Sequence, residues 1–491
     1  LLLLLTVLFL TALSFLITQS FDVNANERLG GTMFQTFMAI LAGASILFIP
    51  LYVGVRVAAE RQENNPDLLY ATTLSPARII RGKFFCGAYM AILFFSAVMP
   101  FMAFSNLLRG VDLPTIFFLL FFLFLVVCIA NMIAIFLACL PMSRPFKILF
   151  ALYGFFQAFG LIIPAIGISF ELMRSGVGAM MAERHFWNGM LTAVAICAAV
   201  TGLFFVLAVA LISPQSANRA LPVRAGITTL WTFGSLLSLA WFAPTGSALP
   251  VTLWARFTFT LMIFSLLVVI SNADKISLRV RRAIPKNRLK RFFAFLFFNG
   301  AAGGLIWTAL ISIATFFVAQ EIVALGSLPK STGFSRVMRF GLFSVGTTSG
   351  FDAFYFVNWA ATMAYAFDYA LLALFIQRKF FPKRPPKLAG LLAVLLAAAW
   401  ALAPGIVLFF LNQLSWKSFG ELQPGNIFNV FALRDDDRRI DHLYFALGWL
   451  ALMILLNAKW FARQIKNFRP LEKVEPPPVI AEIPPEIPTP K

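Results

Sequence analysis

Acids are scarce in the apolar stretches of this chain, and Asp368 lies well inside one, in Tyr365-Ala366-Phe367-Asp368-Tyr369. A carboxylate within a bilayer costs about 2.5–3.5 kcal/mol or more unless it is paired or hydrated, so such a residue is a candidate for a transport pathway. Asp352 sits at the edge of the same stretch. On one helix the two acids are rotated roughly 160° apart, so they do not form a paired proton or metal site. Arg256 lies inside another apolar stretch. It can snorkel outward or act as counter-ion to Asp368. Asn131 and Gln157 suit hydrogen bonds between helices. His185, His442 and the four cysteines, Cys86, Cys128, Cys139 and Cys197, show no metal-ligand or redox spacing. The cysteines read as buried apolar fillers. The acid run Asp435-Asp436-Asp437 reads as a solvated loop.

A second constellation is the polar segment from Glu60 to Lys83, wedged between two long apolar runs. Two helix starts are legible in it. Asn65 precedes Pro66 and Ser75 precedes Pro76, and each pair sets an oxygen acceptor before a proline that lacks an N–H. No Gly-x-x-x-x-Gly-Lys-Ser/Thr loop and no Gly-x-Ser-x-Gly motif occurs. The chain is therefore expected not to hydrolyse ATP by itself, to be no enzyme, and to bind no cofactor of its own.

The elements that carry these residues are set by composition. The chain is 60% hydrophobic and 12% charged over 491 residues, with mean hydropathy +0.85. Its apolar runs suit bilayer spans of about 20 residues, and they are continuous, as helices require, not alternating as in a barrel. About twelve transmembrane helices are expected, near 1–18, 33–55, 85–104, 115–140, 148–170, 189–211, 226–242, 251–270, 293–318, 353–376, 388–411 and 442–458. The fold class is an all-α polytopic membrane protein. With the start of the first span on the cytoplasmic side, most of the 40 Lys and Arg fall in cytoplasmic segments. Both termini are then cytoplasmic, and the formal net charge of +19 is a topology signal, not a sign of nucleic-acid binding.

The segment 60–83 resembles the ABC-2 family of ABC-transporter permeases. That family carries Glu-Arg-Glu-x-Gly-Thr-Leu-Glu-x-Leu-Leu-x-Thr-Pro-Leu-Ser, then Ile and Gly-Lys, after its second span. Glu60, Arg61, Leu69, Thr72, Leu74, Ser75, Ile79, Gly82 and Lys83 match in register, and Asp67 stands where the family has Glu. Gln62, Asn64, Asn65, Pro66, Tyr70 and Thr73 depart from the pattern. The resemblance covers roughly residues 1–211, and it implies a six-helix ABC-2-like unit followed by six further spans. It implies a multi-pass permease subunit of the inner membrane, working as an exporter. A separate cytoplasmic P-loop ATPase would bind the ATP and dock on a coupling helix near Pro66–Thr73. The ATPase-coupling residues are then Glu60, Arg61, Asp67, Leu68, Leu69, Thr72, Ser75, Gly82 and Lys83.

The region 212–470 either completes the pathway or is an appended domain, with a second permease chain supplying the other surface. Two basic segments flank spans there, Lys275 to Arg291 and Gln377 to Lys387. Orientation and contact with membrane lipid account for both, at about 1 kcal/mol per Lys or Arg near the surface. A second contact for the ATPase, centred on Ser277 to Arg282, is the alternative. The tail 471–491 is Pro-rich and expected to be extended and disordered. Two rival functions stay open: an ion-gradient-driven secondary transporter using Asp368, and a membrane-embedded transferase using the segment Asn412 to Asp441.

Overall fold

The computed structural model describes residues 6–7, 9–11, 13–14, 29–62, 75–107, 111–140, 167, 177–214, 216–245, 248–272, 276–326, 354–410, 424–428, 430 and 436–470. Every regular element among them is helical. Nine of the described helices are long and apolar enough to cross a membrane, and the chain is a multi-pass membrane protein. A helix satisfies its own backbone donors and acceptors, which is what lipid demands of a spanning segment. The expected spans at 1–18 and 148–170 lie mostly or wholly outside the described residues. The expected span at 388–411 is present as a helix whose described apolar run, Lys387–Ala403, is shorter.

The chain divides into two compact units. The first comprises Leu1–Pro214 with Ala225–Leu230. It contains α1 (Leu29–Gln62), α2 (Pro76–Leu107), α3 (Leu113–Cys139), the single turn α4 (Val177–Met180) and α5 (Arg184–Ile212). α1 packs on α2 and α3, and α5 packs on α3. Phe34, Phe37, Leu41, Ile46, Met102 and Leu123 are among the buried side chains of this core. α2 opens at Pro76, where the Ser75 carbonyl accepts from the amides of Arg78 and Ile79. It therefore starts well before the expected span at 85–104 and carries Arg78, Arg81 and Lys83 on the helix. Asn131 on α3 donates to the Phe84 carbonyl at 3.2 Å. A side chain at Gly87 would collide with the Asn131 amide, so glycine permits this bond. Cys128 and Cys139 are buried, but Cys86 is exposed on α2 and fills no core.

The second unit comprises Gln215–Arg224 and Trp231–Lys491. Its helices are α6 (Ala220–Thr245) apart from Ala225–Leu230, then α7 (Leu249–Ile270), α8 (Leu278–Arg282), α9 (Arg288–Phe297), α10 (Ala301–Gly326), α11 (Phe354–Phe380), α12 (Lys387–Phe410) and α13 (Asp436–Asn467). α11 packs on α13, α12 and α7. Its apolar window is 78% buried, more than any other described span, so it is the central helix of the unit.

The expected span at 293–318 is corrected by the structure. The apolar run breaks at Phe298 to Gly300, and only α10 is a span. Gly300 has φ +145°, a conformation side chains rarely adopt. Arg224, 3% exposed, holds the break from α6. Its guanidinium donates to the carbonyls of Leu296 (2.6 Å), Phe298 (2.8 Å) and Gly300 (3.1 Å). The carbonyls of Leu296 and Phe298 lie at the helix end and broken turn, where acceptors lose their intrahelical partners, while the Gly300 carbonyl also accepts from the Gly304 amide. Asn299 closes the same corner, donating to the Ala217 carbonyl and accepting from the Ala220 amide. Any side chain at Gly303 would strike the Phe295 carbonyl, so this glycine lets α9 lie against the start of α10.

Candidate functional site

Of the expected coupling residues, Glu60 and Lys83 are brought together as an ion pair between the last turns of α1 and the second turn of α2. Both side chains reach solvent, with 49% and 22% of their areas exposed, so the pair fixes geometry more than it stabilises the fold. Arg61 lies in the last turn of α1, and Ser75 lies just before α2. Gly82 lies on α2 with open space around its Cβ position. Asp67, Leu68, Leu69 and Thr72, with the expected helix start at Asn65–Pro66, lie outside the described residues.

The second site is built around α11. Asp368 stands at the middle of the span Val357–Phe380 and is fully buried. Among the described residues neither of its carboxylate oxygens meets a hydrogen-bond donor. Arg256 is exposed on α7 and is not its counter-ion. The expected pathway pair is thus not brought together. Asp352 lies outside the described residues.

The tyrosines that flank Asp368 are both engaged. Tyr365, fully buried, donates to the carbonyl of His442 at 3.1 Å, and its hydroxyl lies 3.2 Å from His442 Nδ1. Tyr369 donates to the Gly425 carbonyl at 2.6 Å. Trp449 of α13 packs edge-on against both tyrosine rings, and Trp400 of α12 packs against Trp449. α13 therefore supplies His442 and Trp449, and α12 supplies Trp400.

The Gly425 contact places irregular backbone beside mid-span residues. The stretch from Pro424 to Phe428 is a set of turns, and Gly425 has φ +99° with Trp400 packed over it. Trp400 Nε1 donates to the Pro424 carbonyl at 3.1 Å, and Asn426 Oδ1 accepts from the Phe428 amide at 3.0 Å. Non-helical backbone at membrane depth persists only where protein or a water-filled path surrounds it. Further along α11, Arg378 donates to the side chain of Asn457 and lies 4.3 Å over the Trp460 ring. Asn457, fully buried, donates to the carbonyls of Met453 and Leu371.

Chemically, the arrangement is an acid without partners at the centre of a helix bundle, ringed by aromatic residues and adjoining a turn held by buried polar groups. Burial of a carboxyl group without a partner is costly, which marks Asp368 as the polar feature of this bundle that packing alone does not explain. Among the described residues no group of three or more His, Cys, Asp or Glu is placed to hold a metal ion. Sequence reasoning singled out Asp368 and its tyrosines but missed the roles of His442 and Gly425. The Pro424-Gly425 pair is a turn signal, and nothing in the sequence announces His442. No protein-family model, no characterised protein and no solved structure matches this chain.

Proposed function

We propose that the chain is the membrane-spanning permease subunit of an ATP-driven ABC-2-type exporter, with twelve spans and both termini on the cytoplasmic side of the inner membrane. The Lys83–Glu60 ion pair carries this reading. It ties the end of α1 to the start of α2, so a partner gripping residues 63–74 acts on both helices at once. A separate P-loop ATPase, binding the ATP, is that partner. Its dimerisation shifts the population of two arrangements of the spans, provided the two present different docking surfaces. The matching residues Glu60, Arg61, Ser75, Gly82 and Lys83 support the same reading.

The test is purification of the intact chain in mild detergent. Recovery of a P-loop ATPase is expected, and its loss on Leu68→Asp with Leu69→Asp. A chain that purifies alone and moves solute under an ion gradient overturns the proposal. That outcome is the second reading, a secondary transporter, and the unpartnered Asp368 is the observation that favours it. Under that reading Asp368→Asn abolishes transport and no ATPase is needed.

A further inference from the structure

Where the apolar run was expected to enter the membrane at residue 293, the chain instead forms a separate helix, α9. Leu289, Phe292, Phe293 and Leu296 recur on it at the i, i+3, i+4, i+7 spacing of one apolar stripe. Leu296 is buried in the protein, but Leu289, Phe292 and Phe293 are 67%, 55% and 54% exposed. Arg288, Lys290 and Arg291 flank the stripe. Arg279, Arg282 and Lys286 are exposed just before it. No Asp or Glu occurs between residues 276 and 300.

This region is built, not loose. Ser277 Oγ accepts from the Val280 amide and so caps α8; Asn287 Oδ1 accepts from the Leu289 amide and caps α9. Ser277 also donates to the Ser216 carbonyl at 2.8 Å. Arg291 folds back onto the carbonyls of Pro285 and Lys286, which fixes the connection between α8 and α9. Val280, Ile284 and Phe298 pack with Phe468, beyond the end of α13, beneath the two helices. The Arg224 clasp and Gly303 hold α9 at the entrance to α10, the level at which a span meets headgroups.

We propose that α8 and α9 form a fixed platform that binds anionic phospholipid of the adjoining leaflet. The uncovered stripe enters the acyl boundary, and the cations meet headgroup phosphates. The boundary is the one level that accommodates both faces of α9, since water rejects the three apolar side chains and the hydrocarbon rejects the cations. A soluble acidic partner would satisfy the charge but leave the stripe exposed, so the occupant is lipid.

The test uses the full chain in mild detergent with equal amounts of phosphatidylglycerol and phosphatidylcholine, read by native mass spectrometry. Wild type is expected to retain phosphatidylglycerol in preference. Lys286→Gln with Arg288→Gln and Lys290→Gln, all at exposed positions, is expected to lower that retention about a hundredfold while phosphatidylcholine stays unchanged. Phe292→Ser with Phe293→Ser lowers retention of both lipids. Lys383→Gln with Arg384→Gln, in the other basic segment, lowers that retention by much less than the platform triple variant. If the triple variant does not fold, Lys290→Gln alone reads a loss of about fivefold. Absence of a preference in wild type, no change in the platform variants, or an equal loss in the Lys383 and Arg384 variant overturns the proposal.

Discussion

At the scale of single residues, the unpartnered carboxylate of Asp368 separates stability from function. It is fully buried at mid-span, and burial of an unsatisfied polar group destabilises a fold by about 1–3 kcal/mol. Asp368→Leu, which removes both orphaned oxygens, is therefore expected to keep the fold and raise the thermal midpoint in detergent, and on the secondary-transporter reading to abolish transport in reconstituted vesicles. A fall in midpoint would mean that the carboxylate is structurally needed. Tyr369→Phe has the opposite sign. It leaves the Gly425 carbonyl without its donor and should lower the midpoint by the equivalent of about 1–2 kcal/mol. The exposed Lys83–Glu60 pair is different again. Lys83→Met is expected to change stability by less than about 1 kcal/mol, yet, under the proposed function, to uncouple ATP hydrolysis by the partner from transport. The position of Asp368 inside a span was legible from residue type and hydropathy alone. Its surroundings were not, because His442 and Gly425 lie 77 and 56 residues from the tyrosines they meet, and periodicity says nothing about which helices become neighbours.

At the scale of elements, most spans declare themselves as long apolar runs, and the start of α2 could be read from Ser75-Pro76. The elbow between α9 and α10 could not. Phe292 to Phe298 and Ala301 to Phe317 are both apolar, so composition joins them; only Asn299-Gly300 interrupts, and glycine alone does not end a helix. What ends this one is Arg224, which lies 72–76 residues earlier in the chain. Arg224→Met is expected to remove the guanidinium donor from the Leu296 and Phe298 carbonyls, with Gly300 keeping the Gly304 amide, and to cost on the order of 3 kcal/mol. Arg224→Lys restores only part, because an ammonium lacks the planar fork. Thermal midpoints of the two variants, ranked below wild type with methionine lowest, check this. Gly303→Ala should also destabilise the corner, since its methyl group meets the Phe295 carbonyl.

At the scale of the molecule, two compact units each organise their own core, the first around α1 and α3 and the second around α11. Under the proposed topology the turn between α11 and α12 is cytoplasmic and the segment before α5 is external. In a variant lacking Cys86, Lys383→Cys is expected to react with an impermeant maleimide only in inside-out vesicles, and Glu183→Cys only in right-side-out ones. The reverse pattern would invert the topology and place residues 63–74 beyond the reach of any cytoplasmic motor.

The clasp also constrains how this protein is made. A ribosome delivers Arg224 long before the carbonyls of Leu296, Phe298 and Gly300 that will receive its guanidinium. Until α9 and α10 have emerged, the nascent α6 carries a cation whose final acceptors do not yet exist. Biogenesis of the second unit is therefore sequential, and chains stalled before Gly300 should be the ones that insertion and quality-control machinery hold back.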